Sequence, residues 1–251
     1  MSLPAGQIEY VKEIALTGYP RIFEGRLRLL RELPKNAYAV VDGLLACELG
    51  GKAMAEIIYG QVNPSGRLPI TYPKDEANVS IPYNHRVTTL CATAENLRDA
   101  MRLCYTTFDY SYLTLSKTNV TASSDAINVS VTVTNSGSMA GKETVMLFLT
   151  QPYRSFNVPE VKMLKKFNKI SLEAGASQTV AFTLTSDDWG VYYPQIGQGF
   201  KKVAEAAHYV IAIKPETDCD VYNATAAANP PCAKFTLATG DYPFNTLAPL
   251  V

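Results

Sequence analysis

The sequence predicts a two-part α+β chain in which a partial α/β layer is followed by an all-β sandwich. Three observations predict it. Residues before about 60 alternate helical apolar spacing with short apolar runs, residues after 105 switch to strict two-residue alternation with turn signals between, and a polar stretch without steady period lies between the two. A length of 251 residues with 47% hydrophobic and 18% charged content is a normal soluble composition, enough for two ordinary domains.

Taking the elements in order, Ile8, Val11, Ile14 and Ala15 recur at helical spacing between Leu3 and Thr17, and Gly18 offers a left-handed helix end. Arg21 to Glu24 reads as a short strand, and Tyr38 to Leu45 as a second, almost continuously apolar one of the kind buried on both faces. Gly50-Gly51 opens a helix through Tyr59 that Gly60 stops. Two candidate strands cannot complete a parallel sheet, so the layer is read as the tail of a domain whose partners lie outside the chain.

Between Pro73 and Tyr105 the chain reads as an irregular linker. From there the predicted strands are Thr107 to Leu115, Ile127 to Thr134 ending at Asn135-Ser136-Gly137, Thr144 to Thr150, Leu164 to Leu172, Thr179 to Thr185 and Tyr209 to Lys214. Six or seven strands with no helix are the pattern of an immunoglobulin or fibronectin type III-like sandwich. The boundaries expected are 1–75 for the α/β part, 76–104 for the linker, 105–240 for the sandwich and 241–251 for a loosely held extension with two prolines.

Charge is balanced, with 23 basic and 23 acidic residues and no long run of one sign, so no nucleic-acid surface or membrane-binding patch is expected. No apolar run reaches the length that spans a bilayer, and the first residues have neither the basic start nor the apolar core of a signal peptide. Four Asn-X-Ser/Thr sequons, at Asn78, Asn119, Asn128 and Asn223, exceed chance and lean towards a secreted parent. Five cysteines lack CxxC spacing, and with only His85 and His208 beside them no zinc set is expected, nor any cofactor. Cys219 and Cys232 flank a short polar segment, which favours a local disulfide over two free thiols, and the odd count leaves at least one thiol unpaired.

The segment Asn63-Pro64-Ser65-Gly66-Arg67-Leu68-Pro69-Ile70-Thr71-Tyr72-Pro73 closely resembles the motif that closes the second domain of glycoside hydrolase family 3, which includes the β-glucosidases. Further segments follow in the family's order. Leu3-Pro4-Ala5-Gly6-Gln7 is similar to its Leu-Pro-x-x-Gln helix entry, and Glu24-Gly25-Arg26 to its Gly-Arg-Pro strand end. Glu48-Leu49-Gly50-Gly51-Lys52-Ala53 resembles its Gly-Gly helix start, and Leu103-Cys104-Tyr105-Thr106-Thr107-Phe108 its entry to an appended fibronectin type III-like domain. Val131 to Val145 and Pro159 to Phe167 resemble hallmark segments of that appended domain. Leu27, Ala46-Cys47 and Arg102 depart from the family pattern.

The resemblance implies that residues 1–75 are the remnant of the family's α/β sandwich domain. It also implies a parent that hydrolyses a β-glucoside or oligosaccharide with two carboxylates, a nucleophilic Asp on a barrel domain and an acid/base Glu on the second domain. Both would precede this chain, so no catalytic position is assigned and a missing barrel is an expected partner. The chain is then a C-terminal fragment, from a truncated gene model or a true short protein, inactive alone. The alternative is a non-catalytic glycan- or protein-binding sandwich.

Other candidates carry structural readings. Ser186-Asp187-Asp188-Trp189 is similar to the family's nucleophile segment but follows a sandwich strand and is read as a turn. Glu48 is read as a partner of a helix N-terminus, and Arg67 as tying a turn through backbone carbonyls. Tyr105, Tyr110, Tyr112, Tyr192 and Tyr193 are read as half-buried strand residues rather than sugar-stacking faces. His85 has no visible triad partner.

Overall fold

The fold was analysed in a computed structural model, which describes residues 6, 9–10, 13, 22–25, 39–42, 48–67, 72–73, 84, 86, 97–98, 104–122, 124–155, 157–195, 199–214, 217, 219–221 and 232–241. In the first part, β1 (Ile22–Gly25) and β2 (Ala39–Asp42) pair in parallel, Ile22 opposite Ala39, as an α/β layer requires. Helix α1 (Gly50–Ile58) follows. Its Ala, Met, Glu and Ile residues are good or tolerable helix formers, and Gly60 at φ +75° supplies the left-handed ending. Gly6, Glu9, Tyr10 and Glu13 are helical, where the first helix was predicted.

The expected linker is not wholly irregular: β3 (Tyr72–Pro73) pairs with β4 (Leu97–Arg98), and Arg86 forms an isolated bridge to Glu160. These pairs are too short to leave a period in the sequence.

The all-β part holds two main sheets. One has three strands in the order β10-β7-β5, where β5 is Phe108–Leu115, β7 Ile127–Asn135 and β10 Ser177–Leu184. The other has five, in the order β6-β14-β13-β8-β9. Its strands are β6 (Asn119–Val120), β8 (Gly141–Thr150), β9 (Met163–Leu172), β13 (Ala207–Ile213) and β14 (Cys232–Leu237). Inward residues of both sheets share one core: Ile127, Val129, Val131 and Val133 of β7 meet Val145, Leu147 and Leu149 of β8 and Tyr209, Ile211 and Ile213 of β13. Full burial of each such aliphatic side chain stabilises by about 2 kcal/mol.

In the all-β part, four described strands and a helical turn were not legible from the sequence. β6 is only two residues long, and β14 buries just Phe235 and Leu237 on its alternating face. β11 (Val191–Gln195) and β12 (Gly199–Val203) form a separate hairpin, whose Pro194 and Gly199 obscure the strand pattern. Ser186–Trp189 is a single helical turn, α2. Of the extension at 241–251, Asp241 is described and is held at both ends: its N–H donates to the Ala204 carbonyl at 2.7 Å and its Oδ2 accepts from the Ala204 N–H at 2.9 Å.

Candidate functional site

Among the described residues, the polar side chains that could do chemistry gather mainly at two places, and the first is the seam between α1 and the sandwich. Asn63 lies just after the helix end, and its amide serves two other chain segments. Nδ2 donates to the Ala140 carbonyl at 3.0 Å, while Oδ1 accepts from the Tyr105 N–H at 2.9 Å and the Cys104 thiol at 3.3 Å. The Tyr105 hydroxyl returns to the Ile57 carbonyl at 2.7 Å, satisfying one of the last carbonyls of α1. Lys169 Nζ donates to the Ser65 carbonyl at 3.3 Å. A side chain on Gly141 would meet Thr106 Cγ2 at 2.7 Å and Asn63 Nδ2 at 2.8 Å, so the close approach requires glycine.

Arg67 completes the seam through a partner far along the chain. Its Nη2 lies 2.9 Å from Oε1 of Glu143 on β8, with the two side chains 8% and 2% exposed. The same oxygen accepts from the Tyr110 hydroxyl at 2.5 Å, and Lys214 Nζ sits 4.3 Å over the Tyr110 ring. A glutamate this deep in a sandwich needs paired charge and hydrogen bonds to offset its desolvation, and Arg67 and Tyr110 supply them.

The second cluster lies around Glu205, which is buried. Its carboxylate accepts from the Ser155 N–H at 2.9 Å, the Ser155 hydroxyl at 2.5 Å and Gln151 Nε2 at 3.2 Å. Arg154 donates to Gln151 at 2.9 Å and to Glu160 at 2.6 Å. Tyr209 packs its ring on Phe235 at 5.0 Å and gives its hydroxyl to the Glu205 carbonyl. Burial, with the Glu205 charge second, pushes the Tyr209 hydroxyl far above its ordinary pKa. Burial likewise pulls the Lys165 ammonium below its ordinary value, against the opposing pull of Asp188.

In α2, Asp188 accepts from the Thr185 N–H at 2.9 Å and pairs with Lys166 at 2.9 Å, while Trp189 packs 5.5 Å from Phe235. The buried carboxylates described, Glu143, Asp188 and Glu205, are thus all committed to structural partners. Among the described residues no three of His, Cys, Asp and Glu converge as a metal set.

Glu48 precedes the Leu49 N-cap, is exposed and makes no capping hydrogen bond. Tyr110 and Tyr193 are half-buried, but Tyr105, Tyr112 and Tyr192 are 44%, 80% and 64% exposed, so the half-buried reading fails for these three. Tyr112 stands at φ 52° in the irregular step of β5, which turns it outward. His208 Nδ1 is 2.8 Å from the Thr236 hydroxyl on the neighbouring strand. Cys219 and Cys232 are joined by a disulfide with Cα atoms 5.9 Å apart, and Cys104 is a free thiol. Asn119 and Asn128 are exposed, whereas Asn78, Asn223 and His85 lie outside the described residues. No described helix is long and apolar enough to cross a membrane.

Comparison with known proteins bears on this arrangement. The glycosyl hydrolase family 3 C-terminal domain matches residues 1–113, and the fibronectin type III-like domain matches residues 143–216. A lysosomal β-glucosidase of Dictyostelium discoideum is 31% identical over 226 residues, 85% of this chain and 27% of that protein. A periplasmic β-glucosidase of Salmonella typhimurium is 29% identical, over 73% of this chain and 26% of that protein. Among solved structures, a β-glucosidase from Erythrobacter marinus superposes with a TM-score of 0.77 at 26% identity, covering 94% of this chain and 30% of the other. The chain therefore spans about a quarter to a third of the length of the relatives it matches.

Proposed function

Since the chain belongs to glycoside hydrolase family 3, corresponding to its C-terminal part, we propose that it serves a secreted β-glucosidase-like parent as a structural, non-catalytic portion. The parent's substrate would be a β-glucoside or oligosaccharide, and its nucleophilic Asp and acid/base Glu would come from polypeptide outside these 251 residues. The reading is supported most by the commitment of Glu143, Asp188 and Glu205, each held by two or more donors that a catalytic acid or base would have to shed. On this reading, the boundaries at about 75 and 105 separate the two sides of the seam, and the sandwich fixes the α/β segment through Arg67 and Asn63.

The test is to incubate the purified 251-residue protein with an aryl β-glucoside, alone and with a polypeptide carrying a family barrel and acid/base Glu. No turnover alone is expected. Turnover by the chain alone that vanishes on replacing one of its own carboxylates would overturn the proposal.

A second reading, a glycan-binding sandwich, is favoured by one observation. Tyr192 and Phe200 stand 64% and 75% exposed on the β11–β12 hairpin, as a diagonal aromatic pair. Retardation of the chain in polysaccharide-containing gels, lost in a Tyr192→Ala/Phe200→Ala variant, would establish it.

A further inference from the structure

The outer face of the three-stranded sheet is polar and nearly free of charge. The outward rows of β7 and β10 carry only short, uncharged side chains, none larger than Thr or Asn. Their hydroxyls pair across the strands: Thr114 with Ser130 at 2.7 Å, Thr132 with Thr179 at 3.2 Å and Thr134 with Ser177 at 2.7 Å. The result is a flat polar shelf about 10 Å wide and about 20 Å long. Exposed sheet faces ordinarily carry charged side chains that keep water at the surface and other strands away. This one has no charge on two of its three strands, and its aromatic neighbour Tyr112 stands only at the rim.

Asn128 opens the row on β7, at one end of the shelf, and is the acceptor of an Asn-Val-Ser sequon. Its backbone N–H donates to the Ser116 hydroxyl at 3.0 Å. Its Oδ1 accepts from the Thr183 hydroxyl at 2.9 Å, which fixes the amide plane and leaves Nδ2 without a hydrogen bond in the structure. Asn119, the other described sequon, sits instead on β6 at the edge of the five-stranded sheet, with no such shelf beside it.

We propose that Asn128 carries an N-linked glycan that lies along this hydroxyl shelf. The proposal rests on the secreted-parent reading above. In the modification, Asn128 Nδ2 forms a bond to the anomeric carbon of a polyprenyl-diphosphate-linked oligosaccharide. The carbon–oxygen bond to the diphosphate breaks, the lipid diphosphate leaves with the electron pair, and one amide proton is lost to base. The shelf then offers the inner sugars a surface whose hydroxyls are both donors and acceptors and whose short side chains obstruct nothing.

The experiment is to express the chain behind a cleavable leader in a eukaryotic secretory host and to map glycopeptides by mass spectrometry. Because the leader is supplied, the outcome does not depend on whether the natural parent is secreted. Wild type and Ser130→Thr, which keeps the sequon and the hydroxyl, should be modified at Asn128. Ser130→Ala and Asn128→Gln should each lose one glycan. The modified protein should melt about 3 °C above the same sequence produced without glycan in a bacterial host, a shift of the size expected for a fraction of a kcal/mol in a domain of this size. Thr132→Lys/Thr179→Lys should keep the glycan and abolish that difference. A bare Asn128 overturns the site, whether or not Asn119 is occupied, and an occupied Asn128 with no change in melting overturns the packing on the shelf.

Discussion

β7 and α1 are both nine residues long and both carry an apolar stripe, yet they end in opposite environments. On β7, Ile127, Val129, Val131 and Val133 are at most 1% exposed, because a facing sheet covers them. On α1 no residue is buried, and Leu49 and Tyr59 beside it are 75% and 82% exposed. Pattern decides which element forms, but burial needs a second surface, and among the described residues β7 has one while α1 has none. Among the described residues, α1 and the stretch after it join the sandwich through directional bonds, while the strands of the sandwich are held together by buried area.

The sharpest way to break that contrast is to cut the seam. Glu143→Ala should cost about 4 kcal/mol, because it leaves the Arg67 guanidinium buried without its carboxylate. Denaturant midpoints would show the loss, and limited proteolysis should release the segment around α1 before the sandwich unfolds. Ile127→Ala should cost about 3 kcal/mol by opening a cavity between the sheets, and here a single cooperative unfolding transition should persist. Gly141→Ala should cost about 2 kcal/mol, since the added methyl must displace Thr106 and Asn63, and stability by urea titration checks it.

A pH test reaches the sandwich alone. The folded state holds the Tyr209 hydroxyl protonated beyond its ordinary value of 10.0, so this contribution is complete below pH 10 and lost as pH rises above it. Lys165 works the other way, because its ammonium is disfavoured in the fold and stability gains as that proton leaves below 10.5. Lys165 is partly exposed and Tyr209 is buried, so the net expectation is a falling denaturant midpoint above pH 10 that Tyr209→Phe flattens. The smallest effect belongs to the end of α1: Tyr59→Ala should change stability by no more than about 0.5 kcal/mol, because its side chain is 82% exposed.

The sequence made β7 legible because one face is fully buried and the other polar, the condition in which alternation is cleanest. It made α1 legible through its composition and Gly60. The β11–β12 hairpin was not legible, since a proline and a glycine interrupt it and it joins neither main sheet. Arg67 was recognised as structural, but its partner is 76 positions away in the chain. Glu143 stands within a strand where a charged residue ordinarily reads as outward, and only the fold places it inward. The Cys219–Cys232 pair could be proposed from a short polar spacer, whereas Asn63 gave no sign that it would join three segments.

The seam also has a mechanical consequence. A single contact between two bodies is a pivot and two define an axle, but a rotation is blocked only when a third lies off that axis. Tyr105 with Ile57, Asn63 with Ala140, Ser65 with Lys169 and Arg67 with Glu143 attach one short stretch at four spaced points. Such a joint transmits torque rather than absorbing it, so a force that turned the sandwich would turn α1 with it.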